Sequence, residues 1–185
     1  IKMVAEALED EDIIIGILPA GSANGLAVDL NLPTTIEDNL PIYTYKIKNV
    51  SSGKYLTVRD NSTANAAQIV QYSNSISDSQ KWKIVAGSAG YALVNVASSK
   101  SIDIPGSIDV NNTGLIQYTN STNQNQQWTI NFLESNNTVY IKTILSKGYI
   151  IDNPGSSTSD NTQVLLYSIN NNIGTNNQKW VLEKQ

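Results

Sequence analysis

The side chains that could do chemistry in this chain include carboxylates, amides, hydroxyls, phenols and amines, whereas the sequence contains no histidine and no cysteine. These two absences exclude a disulfide, a thiolate zinc site, a cysteine nucleophile and a Ser-His-Asp arrangement with a histidine base. Carboxylate chemistry and the binding of a hard metal ion by oxygen ligands remain open.

Two of the carboxylates stand in the same sequence context. Asp103 and Asp152 each follow an isoleucine, and each lies 15 residues before a tyrosine. An Asn-Gln pair comes after that tyrosine in both cases. The two matching sets are Asp103, Tyr118, Asn125 and Gln126, and Asp152, Tyr167, Asn177 and Gln178.

Both sets belong to an internal repeat that occurs three times. The repeat holds all three tryptophans, in Gln80-Lys81-Trp82, Gln126-Gln127-Trp128 and Gln178-Lys179-Trp180. In the first copy the matching positions are Thr57, Tyr72, Ser79 and Gln80, and the distance from Thr57 to Tyr72 is again 15 residues. From the tyrosine to the repeat glutamine the spacing is 8, 8 and 11 residues, so the third copy has a longer loop. A constant inner spacing predicts a repeated structural unit.

From about Pro41 onward, the sequence is a series of short runs rich in β-branched residues. Turn-forming segments such as Ser51-Ser52-Gly53 and Pro105-Gly106-Ser107 separate these runs. Each repeat has room for four strands, so we predict twelve strands in three units with one large aromatic residue pointing inward in each. Such an all-β domain closes on itself and leaves no sheet edge.

Residues 1–40 have a different pattern and predict a short N-terminal α/β appendage. Lys2 to Asp12 favour a helix, Ile13 to Leu18 a buried strand and Pro19 to Gly25 a turn. The segment from Gly16 to Ala27 resembles a nucleotide-site loop of the diacylglycerol kinase and sphingosine kinase-like lipid kinases, with Gly25 where that family commonly has Asp.

The glycine-rich Gly-Gly-Asp-Gly-Thr loop of those kinases would lie before Ile1, and their lipid-binding half has no counterpart in this sequence. We therefore expect residues 1–40 to be a non-functional remnant that binds no nucleotide and adds little to the stability of the rest. Because the sequence begins with Ile rather than Met, we expect a fragment or a processed product.

The three Gln-x-Trp motifs, with their upstream Ile-Asp-Ile type elements, resemble the ricin B-chain type lectins over about residues 41–185. The resemblance implies a β-trefoil in which the motif tryptophans form the core and the motif glutamines brace turns. It also implies that an Asp accepts hydrogen bonds from sugar hydroxyls, an aromatic ring stacks on the pyranose, and the Asn beside the motif Gln contacts the same hydroxyls.

The resemblance, carried over by position, assigns carbohydrate binding to the second and third copies through Asp103, Tyr118, Asn125, Gln126, Asp152, Tyr167, Asn177 and Gln178. The first copy has Thr57 for the Asp and Ser79 for the Asn, so we expect its site to be degraded. The implied function is non-catalytic binding of glycans or polysaccharide, of galactose or xylose type, without a cofactor. The resemblance also favours a secreted or extracellular location.

Three alternatives stay open at this level. Asp103 and Asp152 could cap turns by accepting bonds from backbone N–H groups. A one-residue change of register would exchange the faces of Gln117 and Tyr118. The whole domain could also be a β-trefoil protein-interaction or structural module without sugar affinity.

Charge and hydropathy limit the kinds of partner that we expect for this chain. Charged residues make up 15% of the chain and the net charge is -4, which disfavours nucleic acid because phosphate binding needs a basic surface. The sequence has no apolar run near the length of about 18 residues that a membrane-spanning helix needs.

Overall fold

The computed structural model describes residues 43–133, 137–172 and 174–185. The helix, strand and turn predicted within residues 1–40 lie outside the described residues. The described part forms thirteen strands: β1 Thr44–Asn49, β2 Tyr55–Val58, β3 Ile69–Tyr72, β4 Trp82–Ala86, β5 Tyr91–Asn95, β6 Lys100–Asp103, β7 Ile116–Thr119, β8 Trp128–Phe132, β9 Thr138–Thr143, β10 Ile150–Asp152, β11 Thr162–Gln163, β12 Leu165–Tyr167 and β13 Trp180–Lys184.

Six of the strands close into an antiparallel barrel in the order β1, β4, β5, β8, β9 and β13, with β13 pairing back to β1. Three hairpins, β2–β3, β6–β7 and β10–β12, cap this barrel. We call β1–β4 the first lobe, β5–β8 the second and β9–β13 the third. The three lobes repeat the same order of strands, so the fold is the predicted β-trefoil.

One strand was not predicted. The twelve predicted strands all form, but β11 adds a two-residue strand that pairs Thr162 with Gln71 and Gln163 with Val70 of the first lobe. This pairing joins two lobes that are distant in the sequence, and local periodicity carries no signal for it.

The core lies inside the barrel and beneath the hairpins, and the three motif tryptophans are its largest side chains. Trp82, Trp128 and Trp180 are each 0% exposed. Trp82 Nε1 donates to the carbonyl of Leu56 at 2.9 Å, and Trp180 Nε1 donates to that of Ile151 at 3.0 Å. Trp128 Nε1 has no acceptor among the described residues. The prediction that the tryptophans are buried is confirmed, but the second lobe lacks one anchoring bond.

Short 3-10 turns follow the hairpin strands in each lobe. One set lies within two residues of the end of the first hairpin strand of each lobe, at Arg59–Asn61, Pro105–Ser107 and Pro154–Ser156. A second set carries the motif glutamine, at Asp78–Gln80, Gln124–Gln126 and Asn176–Gln178. The longer loop of the third lobe holds one more, Asn170–Asn172.

Candidate functional site

The second lobe has a groove whose floor is Asp103, the last residue of β6. Asp103 is 5% exposed, and its Oδ2 accepts hydrogen bonds from Asn125 Nδ2 at 2.9 Å and from Gln126 Nε2 at 2.8 Å. Its Oδ1 receives no hydrogen bond from the described residues. Two amides therefore hold the carboxylate in one orientation and leave its second oxygen able to accept from a ligand.

Gln126 links this carboxylate to the neighbouring loop. Its Nε2 also donates to the carbonyl of Thr119 at 3.0 Å, and its Oε1 accepts from the backbone N–H of Ser121 at 2.8 Å. The glutamine is 2% exposed. It braces the turn, as the family resemblance implies, and at the same time orients Asp103.

Tyr118 and Gln117 lie on opposite faces of β7, as side chains alternate along a strand. Tyr118 is 46% exposed, whereas Gln117 is 0% exposed. The Gln117 amide is engaged inward, because its Nε2 donates to the carbonyls of Ser62 and Ala64 at 2.9 and 2.8 Å. The structure therefore has the register that presents the tyrosine ring outward.

The four residues assigned to the second lobe line one cavity of about 540 Å³. Its lining residues are Asp103, Pro105, Gly106, Ile116, Tyr118, Thr119, Asn120, Ser121, Asn123, Asn125 and Gln126. One buried acceptor, one exposed ring and several amides and hydroxyls thus converge on a shallow concave surface.

The third lobe repeats this arrangement with one change. Asp152 is 4% exposed, and its Oδ2 accepts from Asn177 Nδ2 at 3.1 Å. The motif glutamine again braces the loop, since Gln178 Nε2 donates to the carbonyl of Ser168 at 2.9 Å, and together with Asn177 it stabilises the ionised form of Asp152. Asp152, Tyr167 and Asn177 line a cavity of about 370 Å³, and Gln178 is not part of the lining.

Both carboxylates differ electrostatically from an exposed Asp. Burial raises the pKa of Asp103 and of Asp152, because a poorly hydrated surrounding disfavours the charged form. The neighbouring amides stabilise the ionised form and offset part of that rise. Shifted carboxyls of this kind are concentrated at functional sites.

The hydrogen bonds of these carboxylates bear on the turn-capping alternative. The donors to Asp103 and Asp152 are side-chain amides, and no backbone N–H among the described residues donates to either one. The geometry therefore offers no support for the role of turn cap.

The first lobe keeps the scaffold and loses the carboxylate. Thr57 is 6% exposed; its Oγ1 donates to the carbonyl of Tyr55 at 2.7 Å and accepts from Gln80 Nε2 at 3.1 Å. Ser79 Oγ donates to Asn61 Oδ1 at 2.6 Å rather than to the floor residue. The hydroxyl on this floor is already engaged on both sides, so it offers little to a ligand.

Two residues that line a groove of a neighbouring lobe were not predicted from the sequence. Asn112 of the second lobe lines the third-lobe groove, and Asn161 of the third lobe lines the first-lobe groove. A signal for them does exist. Asn112 and Asn161 each stand nine residues after the floor positions Asp103 and Asp152.

A barrel of six strands capped by three hairpins, with one buried tryptophan in each lobe, defines a β-trefoil. Residues 35–118 and 124–185 match the ricin-type beta-trefoil lectin domain-like family. Since the match extends over most of the sequence, the chain belongs to this family.

Solved structures give the same assignment. A designed 3-fold symmetric protein, ThreeFoil, is 34% identical over 77% of this chain and 99% of its own, with a TM-score of 0.72. An exo-beta-1,3-galactanase from Clostridium thermocellum is 33% identical over 77% of this chain but only 30% of its own, with a TM-score of 0.72. The Rhizoctonia solani agglutinin is 25% identical over 77% of this chain and 95% of its own, with a TM-score of 0.67. No curated protein matches the chain.

A second match covers the N-terminal end. Residues 1–55 match the diacylglycerol kinase catalytic domain, which confirms the resemblance seen in the first 40 residues.

In the part of the chain that the structure describes, no helix is long and apolar enough to cross a membrane.

Proposed function

We propose that this protein is a non-catalytic carbohydrate-binding module that uses the grooves of its second and third lobes. Membership of the ricin-type lectin family supports carbohydrate binding in general. The observation that carries the assignment to two lobes is the buried carboxylate, which is held by a neighbouring amide and lines a cavity with a tyrosine that is exposed in the second lobe and half-buried in the third.

The chemistry of these grooves suits a neutral ligand with many hydroxyl groups. A carboxylate oxygen accepts charge-assisted hydrogen bonds from hydroxyls, and an exposed aromatic ring covers the apolar face of a pyranose. An anionic ligand would be repelled by the same floor. Tyr118 and Asp103 present this pair in the second lobe, and Tyr167 and Asp152 present it in the third.

The lining of the grooves argues for binding rather than hydrolysis. Glycoside hydrolysis commonly needs two carboxylic groups flanking one bond. Among the described lining residues each groove has a single acidic side chain, which is Asp103 in the second lobe and Asp152 in the third. One carboxylate can hold a hydroxyl but cannot serve as both acid and nucleophile.

Galactose-type sugars are our first choice of ligand. The galactanase that shares 33% identity is named for its action on a β-1,3-galactan, and the match covers 30% of that enzyme. A module of this kind would hold a polysaccharide through two weak sites, whose combined avidity exceeds the affinity of either one.

A glycan array probed with the full chain tests this proposal, with Asp103→Asn/Asp152→Asn as the matched variant. We expect the parent to be retained on galactose-terminated or galactan-type glycans and the variant to be lost from them. If the parent is retained on no glycan, the domain is an interaction or structural module. If the variant is retained as strongly as the parent, the binding residues lie elsewhere.

A further inference from the structure

We propose that the residue nine positions after the floor position of each lobe sets the ligand class of the groove in the neighbouring lobe. Ala66 leaves the second-lobe groove open for an internal unit of a polysaccharide chain, and Asn112 closes the third-lobe groove around a chain end. This inference rests on the proposed function and assigns a ligand class to each of its two sites.

The three residues at this position are structurally equivalent. Ala66, Asn112 and Asn161 have positive φ angles of 64°, 68° and 61°. The backbone N–H of each donates to the backbone carbonyl of the residue that precedes the groove tyrosine of a neighbouring lobe. The three distances are 2.9 Å from Ala66 to Gln117, 2.9 Å from Asn112 to Leu166 and 3.0 Å from Asn161 to Gln71. The backbone therefore places the same position beside each of the three tyrosines.

A bond from the preceding residue fixes this position further. Asp160 Oδ1 accepts from the backbone N–H of Ser73 at 2.8 Å, and Asn111 Oδ1 accepts from that of Ser168 at 2.7 Å. In the second-lobe groove, Asn65 Oδ1 accepts from Thr119 Oγ1 at 3.1 Å. Since the acceptor contacts the residue after the groove tyrosine in each case, the loop that carries this position is anchored at the edge of the groove. We call this loop the crossing loop, and we call Ala66, Asn112 and Asn161 the crossing residues.

The side chains at this position differ in what they offer. Asn112 and Asn161 are exposed and line the grooves they face, and no hydrogen bond within the described residues engages their side-chain amides. A free amide can donate to one sugar hydroxyl and accept from another. Ala66 has no polar atom beyond its backbone, and none of the described lining residues of the second-lobe groove comes from its loop.

The cavity volumes follow this difference. The grooves flanked by Asn161 and Asn112 measure about 360 and 370 Å³, while the groove beside Ala66 measures about 540 Å³. The two smaller grooves have similar volumes although one has Thr57 on its floor and the other has Asp152. The crossing residue, rather than the floor residue, therefore accompanies the difference in size.

The size and polarity of each groove point to different parts of a glycan. An internal sugar unit carries a glycosidic bond on two sides, so its groove has to be open at both ends. A terminal unit keeps a free hydroxyl where an internal unit carries the next sugar. With a chain end as ligand, an amide beside that hydroxyl forms a hydrogen bond to it. With a continuing chain as ligand, the amide clashes with the next sugar and loses its hydrogen-bond partner.

Two probes applied to the full chain separate these roles. Methyl β-galactoside has one sugar unit, and a linear β-1,3-galactohexaose supplies mainly internal units. The shifts of the Tyr118 and Tyr167 backbone amides in NMR titrations report on the second and third lobes. We expect the hexaose to bind the second lobe at least about tenfold more tightly than the monosaccharide, and the third lobe to show little gain.

Exchanging the crossing residues should exchange the preferences. Ala66→Asn should remove the gain at Tyr118, and Asn112→Gly should create one at Tyr167. Both variants should fold, because Asn and Gly tolerate a positive φ better than Ala does. Ser99→Asn is the matched control, since Ser99 has a φ of 57° and lines none of the three grooves.

The inference and the proposed function fail in different ways. Equal gains at Tyr118 and Tyr167 in the parent, or unchanged preferences in both variants, would overturn the inference while the two sites stand. The absence of any response at both tyrosines to both probes would overturn the proposed galactose function and the inference with it.

Discussion

The first lobe and the second lobe have the same scaffold and different grooves. In both, the motif glutamine braces a loop, since Gln80 Nε2 donates to the carbonyl of Ser73 at 2.8 Å and Gln126 Nε2 donates to that of Thr119 at 3.0 Å. The same nitrogen also reaches the floor residue, which is Thr57 in one lobe and Asp103 in the other. A floor hydroxyl satisfies the glutamine as well as a carboxylate does.

Within one motif, the residues that support the fold differ from the residue that we propose for binding. The scaffold needs the glutamine and the buried tryptophan, and it accepts either Thr or Asp on the floor. In our proposal ligand binding needs the carboxylate, whose burial is unfavourable for its charge. A lobe can therefore lose its site without losing its structure.

The largest expected effect concerns the scaffold, and it should be similar in all three lobes. Replacing Trp82, Trp128 or Trp180 with Ala should lower the free energy of unfolding by about 3 to 5 kcal/mol, because each leaves a large cavity in the core. Chemical denaturation measures this loss. A change below about 1 kcal/mol at any of the three would contradict their equivalence in the core.

A milder substitution should distinguish the lobes. Trp128→Phe should cost about 1 kcal/mol less than Trp82→Phe, because only the Trp82 indole N–H gives up a hydrogen bond. Equal losses would show that Trp128 Nε1 has an acceptor in solution.

The next effect concerns binding. Asp103→Asn and Asp152→Asn should each weaken glycan binding in their own lobe by about 10 to 100-fold, which corresponds to a charged hydrogen bond of about 1.5 to 3 kcal/mol. The double variant should lose its retention on immobilised polysaccharide and remain folded. Thr57→Ala is the control in the first lobe and should leave retention unchanged, so a loss there would break the distinction between the lobes.

A smaller effect separates the third lobe from the other two. Asn153 occupies the position of Val58 and Ile104, which belong to the core, and its buried Oδ1 has no donor among the described residues. Asn153→Val should raise the free energy of unfolding by about 1 kcal/mol, because an unsatisfied buried carbonyl is removed while one bond to Ser157 is lost. The reciprocal Ile104→Asn should be destabilising. Any destabilisation by Asn153→Val would show that the asparagine is satisfied.

The smallest effect is a pH dependence with opposite signs for folding and binding. The folded-state pKa of Asp103 and Asp152 is raised, so their contribution to stability is full below the unfolded pKa and is lost as pH rises through the folded value. Binding needs the ionised form and should strengthen over the same acidic window.

The double Asn variant isolates this dependence. Asp160 shifts the other way, because Lys54 lowers its pKa, and its contribution is lost as pH falls. The stability of the double variant minus that of the parent should therefore grow as pH rises. A flat difference between pH 3 and pH 7 would contradict the raised pKa values.

Much of the scaffold could be predicted because it is written in local repeats. Four predicted strands in each lobe and the burial of the tryptophans follow from a motif with constant spacing, and the resemblance to the ricin B-chain type lectins implies the turn-bracing role of Gln126. Side-chain alternation predicts that Gln117 and Tyr118 lie on opposite faces of β7, whereas the structure decided which of the two is exposed. These features depend on residues close to one another in the sequence.

The features that escaped prediction depend on contacts between lobes. The pairing of β11 with β3 joins residues about ninety positions apart, and Asn112 and Asn161 enter grooves that belong to other lobes. A motif pattern is also blind to the lack of an acceptor for Trp128 Nε1 among the described residues and to the position of Gln178 outside the lining of the third-lobe groove. The repeat predicts where each lobe has its groove and leaves open how the lobes shape one another's grooves.

The most direct test of the account is an NMR titration of the full chain with methyl β-galactoside, read lobe by lobe. We predict that backbone amides at Tyr118 and Asn125 and at Tyr167 and Asn177 shift with saturation, while those at Tyr72 and Ser79 do not. A first lobe that responds as strongly as the other two would contradict the claim that the buried carboxylate makes the site.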